Sequence, residues 1–184
     1  MKSIFLPLFL APCFFATAAP GAGSYLRLQD KLDRPQDGYC LDVAGSGPYA
    51  RLDMPLTVHN CKGPELYDDE VVEFRKDGTL YFPAYQGCVT VMGNNQTALP
   101  GNALMLKSCG DASPFLNGPR FQHYTMNEKK QIQLNQSDLC LVAGQVSSTT
   151  YSEDHRWRNL SVEPCETAAL SHSQWEIYSA RSHQ

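Results

Sequence analysis

The residues that could do chemistry are few, and their spacing excludes more than it offers. The histidines at 59, 123, 155, 172 and 183 never form the His-Glu-x-x-His pattern that seats zinc on one helix face, and no Gly-x-Ser-x-Gly turn presents a serine nucleophile. Asp68-Asp69-Glu70 is an acidic run that could serve calcium or a carboxylate pair. Three consecutive acids in a loop are read instead as a solvated surface. Seven cysteines are present, but no Cys-x-x-Cys pair, which argues against a zinc site. Once the six beyond the expected leader are paired, no thiol nucleophile remains. The expectation is a chain that catalyses nothing by itself and uses no metal and no cofactor. Asn95-Gln-Thr, Asn135-Gln-Ser and Asn159-Leu-Ser offer glycan acceptors in an exported protein.

Export is what the first residues predict. Lys2 gives a positive start, Ile4 to Phe15 an apolar run, and Ala16-Thr17-Ala18 a small-residue cleavage site. We therefore expect a signal peptide over 1–18 and one domain over 19–184, secreted to the extracellular space, with no membrane span. Cys13 leaves with the leader, and the remaining even set reads as disulfides. The formal net charge of −4 argues against nucleic acid as a partner.

The elements that must position these groups repeat. Tyr39 to Val43, Gly87 to Val91 and Leu139 to Ala143 each open with a cysteine-bearing apolar strand; Leu56 to Cys61, Leu104 to Cys109 and Leu160 to Cys165 each close on one. The repeat selects the pairs Cys40–Cys61, Cys88–Cys109 and Cys140–Cys165, at separations of 21, 21 and 25 residues. An aromatic strand is expected after each closing cysteine, ending at Phe74, Phe121 and Trp175, whose recurrence marks them as core. Asp77-Gly78 reads as a hairpin turn, and Met126 to Lys130 as its counterpart. Four short strands per unit make about twelve, and Tyr25-Leu-Arg-Leu28 is available to close the ring against Trp175-Glu-Ile-Tyr178.

The triplicated Cys-Leu-Asp-Val-type opening, apolar strand ending in Cys and following aromatic strand resemble the ricin-type β-trefoil (R-type lectin) family over nearly all of the chain beyond the leader. The resemblance implies an all-β fold, a β-trefoil of three disulfide-bridged repeats, with room for one shallow sugar site per repeat. In such a site an Asp accepts hydrogen bonds from sugar hydroxyls, an aromatic ring stacks on the C–H face, and amides complete the contact. Carried over, the first repeat keeps Asp42, offers His59 at the stacking place with Tyr49 as an alternative platform, and places Val71 and Val72 where amides belong. The second has Thr90, Lys107, Gly118 and Pro119; the third has Val142, Glu163, His172 and Ser173. Both read as structural.

The implied function is a secreted, lectin-like carbohydrate-binding protein with at most one conventional site, its partners glycans or glycoproteins. The alternative is a trefoil that has lost sugar binding and recognises a secreted or host protein, as a protease inhibitor or effector would. Loops on a fixed ring can vary to make such a surface.

Overall fold

Short apolar stretches punctuated by Gly, Pro and Asn fold, among the described residues, into twelve strands and almost no helix. The computed structural model describes residues 23–62 and 67–179; the expected signal peptide lies outside them. The strands run β1 (Ser24–Leu28), β2 (Tyr39–Asp42), β3 (Thr57–Asn60), β4 (Glu73–Phe74), β5 (Leu80–Phe82), β6 (Gly87–Val91), β7 (Leu104–Ser108), β8 (Tyr124–Met126), β9 (Ile132–Leu134), β10 (Leu139–Thr149), β11 (Arg156–Pro164) and β12 (Trp175–Ser179). Among the described residues, two single α-helical turns interrupt them, α1 (Gly118–Phe121) and α2 (Leu170–Ser173), as do two 3-10 turns at Gly47–Tyr49 and Pro83–Tyr85. None of the described helices is long and apolar enough to cross a membrane.

One set of antiparallel pairings recurs three times. β2 pairs with β1 and β3, β6 with β5 and β7, and β10 with β9 and β11. The hairpins β4–β5 and β8–β9 have their counterpart in β12–β1, which joins the first and last strands from Ser24↔Ser179 to Leu28↔Trp175. The ladders form sheets of eight and four strands. Isolated bridges at Thr79↔His123 and Ala103↔Ser161 tie the two together. All three expected disulfides are formed, Cys40–Cys61, Cys88–Cys109 and Cys140–Cys165.

Register identifies equivalent residues more sharply than spacing does. The opening cysteines lie beside Arg27, Tyr81 and Gln133, which in turn face Glu176, Glu73 and Thr125. The preceding residues, Trp175, Val72 and Tyr124, are therefore equivalent, and all three are buried. Their hydrogen bonds agree. Trp175 Nε1–H donates to the Leu141 carbonyl at 3.1 Å, and the Tyr124 hydroxyl to the Val89 carbonyl at 3.1 Å, each one residue beyond an opening cysteine.

Phe121 is fully buried as expected, but it ends α1 rather than lying on a strand. Pro119 near the helix start and Asn117, whose side chain accepts from the Arg120 N–H at 3.3 Å, turn that segment into a helical turn. Tyr124 takes the place expected for Phe121. Phe74 is half-buried and packs against the rim of the core.

Two local devices shape these ladders. At the β4–β5 turn the Asp77 carboxylate accepts from the Thr79 N–H and hydroxyl at 3.0 and 2.8 Å, while Gly78 adopts φ +91°. The β10–β11 ribbon is longer than its counterparts and shifts register between Ala143 and Ser147. Arg158, 5% exposed, pins it by donating to the Gly144 and Gln145 carbonyls at 2.9 and 2.6 Å and to Asp33 at 2.5 Å. Burial works against the Asp33 charge, but hydrogen bonds from Ser147, Arg158 and Tyr39 outweigh it and hold the carboxyl well below the usual range.

Candidate functional site

Asp42 closes β2, and the β2–β3 ladder places it opposite Thr57 and sets His59 opposite Cys40. Just beyond β3, Lys62 reaches back so that its Nζ lies 3.0 Å from Asp42 Oδ2 and bonds still more closely to Asp69. The Tyr67–Glu70 turn is held against β2 by the Val43 N–H, which donates to the Asp69 carbonyl at 3.0 Å. Glu70 Oε2 accepts from the Lys62 backbone N–H at 3.1 Å. His59 Nδ1 lies 3.0 Å from the Asn60 carbonyl and 3.8 Å from Asp42 Oδ2.

The acidic run is thus not the solvated loop its composition predicts. Asp68 is exposed, but Asp69 and Glu70 are 2% and 0% exposed. Three buried carboxylates, Asp42, Asp69 and Glu70, share one ammonium. Burial drives the Asp42 carboxyl well up despite Lys62, and drives Glu70 up to about 7. Burial opposes the Lys62 charge, but Asp42 and Asp69 more than compensate and raise its pKa. Burial also lowers the His59 pKa, favouring the neutral ring.

Some oxygen atoms here have no partner. Among the described residues, Asp42 Oδ1, Glu70 Oε1 and the Tyr85 hydroxyl are buried without a hydrogen bond, and Tyr85 lies within the field of Asp69, Asp68 and Asp42. Each such group costs about 1–3 kcal/mol unless something outside the chain satisfies it.

Register explains why Glu70 belongs to this place. It lies two residues before Val72, as Gln122 lies two before Tyr124 and Ser173 two before Trp175. All three are fully buried. In the second repeat Gln122 Nε2–H donates at 2.8 Å to the hydroxyl of Thr90, the counterpart of Asp42. The polar partner expected at Val71 or Val72 is therefore Glu70, and that expected at Gly118 or Pro119 is Gln122. The repeated polar residue two before the strand-heading apolar one was the signal available in the chain.

Above the cluster opens a hollow of about 360 Å³. Asp42, His59 and Lys62 line its base, and Tyr151, His155 and Trp157 of the β10–β11 ribbon line its side. Trp157 comes in because β11 pairs with β3 and sets it directly across from His59. The two histidine rings lie 5.7 Å apart. Gly45, at φ +81°, edges the hollow where any side chain would collide with the Tyr49 carbonyl.

Asp42 and His59 lie together at the hollow, whereas Tyr49, 80% exposed on its own helical turn, is not among the lining residues. Trp157 went unrecognised because the ribbon that carries it lies over a hundred positions from Asp42. At the corresponding place in the third repeat, Val142, Ser161 and Glu163 line a hollow of about 440 Å³ with no aromatic ring. Of the glycan acceptors, Asn95 and Asn159 are exposed and Asn135 is half-buried, accepting from the Thr125 hydroxyl at 2.7 Å.

The described residues form an all-β structure bridged by three disulfides, with Asp42, His59 and Lys62 together lining one hollow. A solved structure described as the solution structure of mdaA-1 domain is similar to it, with a TM-score of 0.58 and 13% sequence identity over 88% of this chain and 91% of that one. At that identity the likeness concerns the fold alone. No protein-family model matches the chain, and no curated protein matches it.

Proposed function

We propose that this chain is a secreted, lectin-like β-trefoil of the ricin type that binds glycans or glycoproteins without catalysis, through one site at the Asp42 hollow. The trefoil reading is supported by the threefold recurrence of the same pairings and by the equivalent bonds of Trp175 and Tyr124. The observation that carries the function is a buried carboxylate with a free oxygen at the base of an aromatic-sided hollow. Trp157 and Tyr151 supply flat apolar faces for a sugar ring, while Lys62, His59 and Thr57 supply polar contacts. His59, smaller and more polar than an indole, orients hydroxyls; stacking falls to Trp157. A single site of this kind binds weakly, and tight capture of a cell surface requires several copies presented together.

A glycan array with the wild-type protein, Trp157→Ala and Asp42→Asn tests the assignment. Wild-type binding weakened about tenfold or more in Trp157→Ala, with Asp42→Asn also impaired, is the expected result; tenfold corresponds to about 1.4 kcal/mol. Absence of binding to every glycan, or binding indifferent to both substitutions, would refute it. One observation favours the second reading, a protein target: the β10–β11 ribbon holds Val146 and Tyr151 at 81% and 98% exposure. Capture of a secreted protease or host protein that Tyr151→Ser abolishes, alongside a blank glycan array, would establish that alternative.

A further inference from the structure

Beneath the hollow the polar residues are arranged for more than sugar contacts. Asp42, His59 and Glu70 each bring a potential ligand atom to within 4.8 Å of the others. Small side-chain rotations would bring such atoms to the roughly 2.0–2.2 Å bonds that zinc makes with imidazole and carboxylate.

The hydrogen bonds leave one oxygen of each carboxylate free, and because His59 Nδ1 is bonded to the Asn60 carbonyl, Nε2 is the imidazole nitrogen left to ligate. Lys62 occupies Asp42 Oδ2 and the Asp69 carboxylate, and its backbone N–H occupies Glu70 Oε2. What remains is Asp42 Oδ1 and Glu70 Oε1, both without partners on residues 3% and 0% exposed. A cation held by these two oxygens would not compete with Lys62 for the oxygens it already bonds.

Charge points the same way. Three buried carboxylates against one ammonium leave an excess of two negative charges when all are ionised, which a dication balances. The second repeat provides an internal contrast. There Thr90 and Gln122 occupy the places of Asp42 and Glu70 and satisfy each other directly, with no formal charge. The first repeat has exchanged a closed neutral pair for an open pair of carboxylates with an imidazole beside it.

We propose that Asp42, Glu70 and His59 form a binding site for a divalent metal ion of the zinc type, buried under the hollow and reached through it. One imidazole with two carboxylates suits zinc better than calcium, which takes six to eight oxygens. The site shares Asp42 and His59 with the proposed sugar site but makes no use of the aromatic wall, so the metal and the glycan are tested separately. A metal held there would fix the Asp42 side chain and the Tyr67–Glu70 turn.

The test is calorimetric titration of zinc chloride into the EDTA-treated, dialysed full protein with its disulfides intact, at pH 7. One site per chain is expected, weakened at least tenfold in Glu70→Gln and in His59→Ala, while Glu163→Gln in the third repeat binds as wild type. Circular dichroism confirms that each variant is folded, and His59→Ala, at a half-buried position, keeps the test available if Glu70→Gln is not. No zinc binding by the wild type at millimolar concentration overturns the proposal, as does binding unchanged in the folded variants. A parallel glycan array in EDTA separates the two readings. Zinc binding with a blank array leaves the metal site standing and removes the lectin; glycan binding without zinc binding does the reverse.

Discussion

Glu70 is the residue whose ionisation the whole domain should feel. Its carboxyl is fully buried, and its folded pKa of about 7 compares with an ordinary 4.5. Between those values the folded chain binds more protons at this group than the unfolded chain does. Stability from Glu70 is therefore fully present below about pH 4.5 and is lost as pH rises towards 7. A gap of about 2.5 between the two values corresponds to about 3 kcal/mol. Glu70→Gln removes the charge while keeping the shape and an acceptor for the Lys62 N–H. It also offers an amide donor beside Asp42 Oδ1, as Gln122 offers one to Thr90.

The assay is guanidinium unfolding at pH 4.5, 6 and 8 in EDTA with disulfides intact, followed by tryptophan fluorescence. Asp42 titrates in the same sense as Glu70, and His59 in the opposite sense because its folded pKa is lowered. The informative quantity is the difference between the wild-type and variant curves. The variant should gain on the wild type by up to about 3 kcal/mol between pH 4.5 and 8. Parallel curves, or a variant that loses ground as pH rises, would falsify the claim that Glu70 is a buried, reluctantly charged acid.

Two further substitutions probe the frame that holds the site. Arg158→Met should lower stability by about 2–4 kcal/mol, because it removes three hydrogen bonds and leaves Asp33 without its buried partner; the denaturant midpoint measures this, and faster amide exchange across 145–155 should accompany it. Gly78→Ala should cost about 1–3 kcal/mol, since its Cβ would sit 2.7 Å from the Tyr124 carbonyl at a φ of +91°; a fall in Tm checks it.

Strand content, the cysteine pairs and the Asp77-Gly78 turn were legible in the chain because each rests on local chemistry repeated three times. Alternation marks a half-buried strand, and a cysteine at a fixed place in each repeat marks its partner. The Tyr25-to-Leu28 strand was legible too, as the apolar run left to pair with the last one. What escaped depends on register. Phe121 and Tyr124 lie three residues apart, and spacing alone favoured the former; only the β8–β9 ladder shows that Tyr124 matches Trp175. Asp69 and Glu70 looked solvated because acids usually are, and nothing local announces that Lys62 folds back over them. Trp157 reaches the hollow only through the β11–β3 pairing.

The union of β1 with β12 also bears on how this molecule comes into being. Leu28 meets Trp175 in that ladder, and Ser24 meets Ser179, so β1 finds this partner only after the whole stretch up to β12 has emerged. Contacts this distant along the chain slow folding, since a long loop must close before they contribute. Until then the buried faces of Tyr25, Leu26 and Leu28 have no β12 to cover them. A nascent chain is open along this seam until β12 has emerged, and only then can β1 acquire its second neighbour.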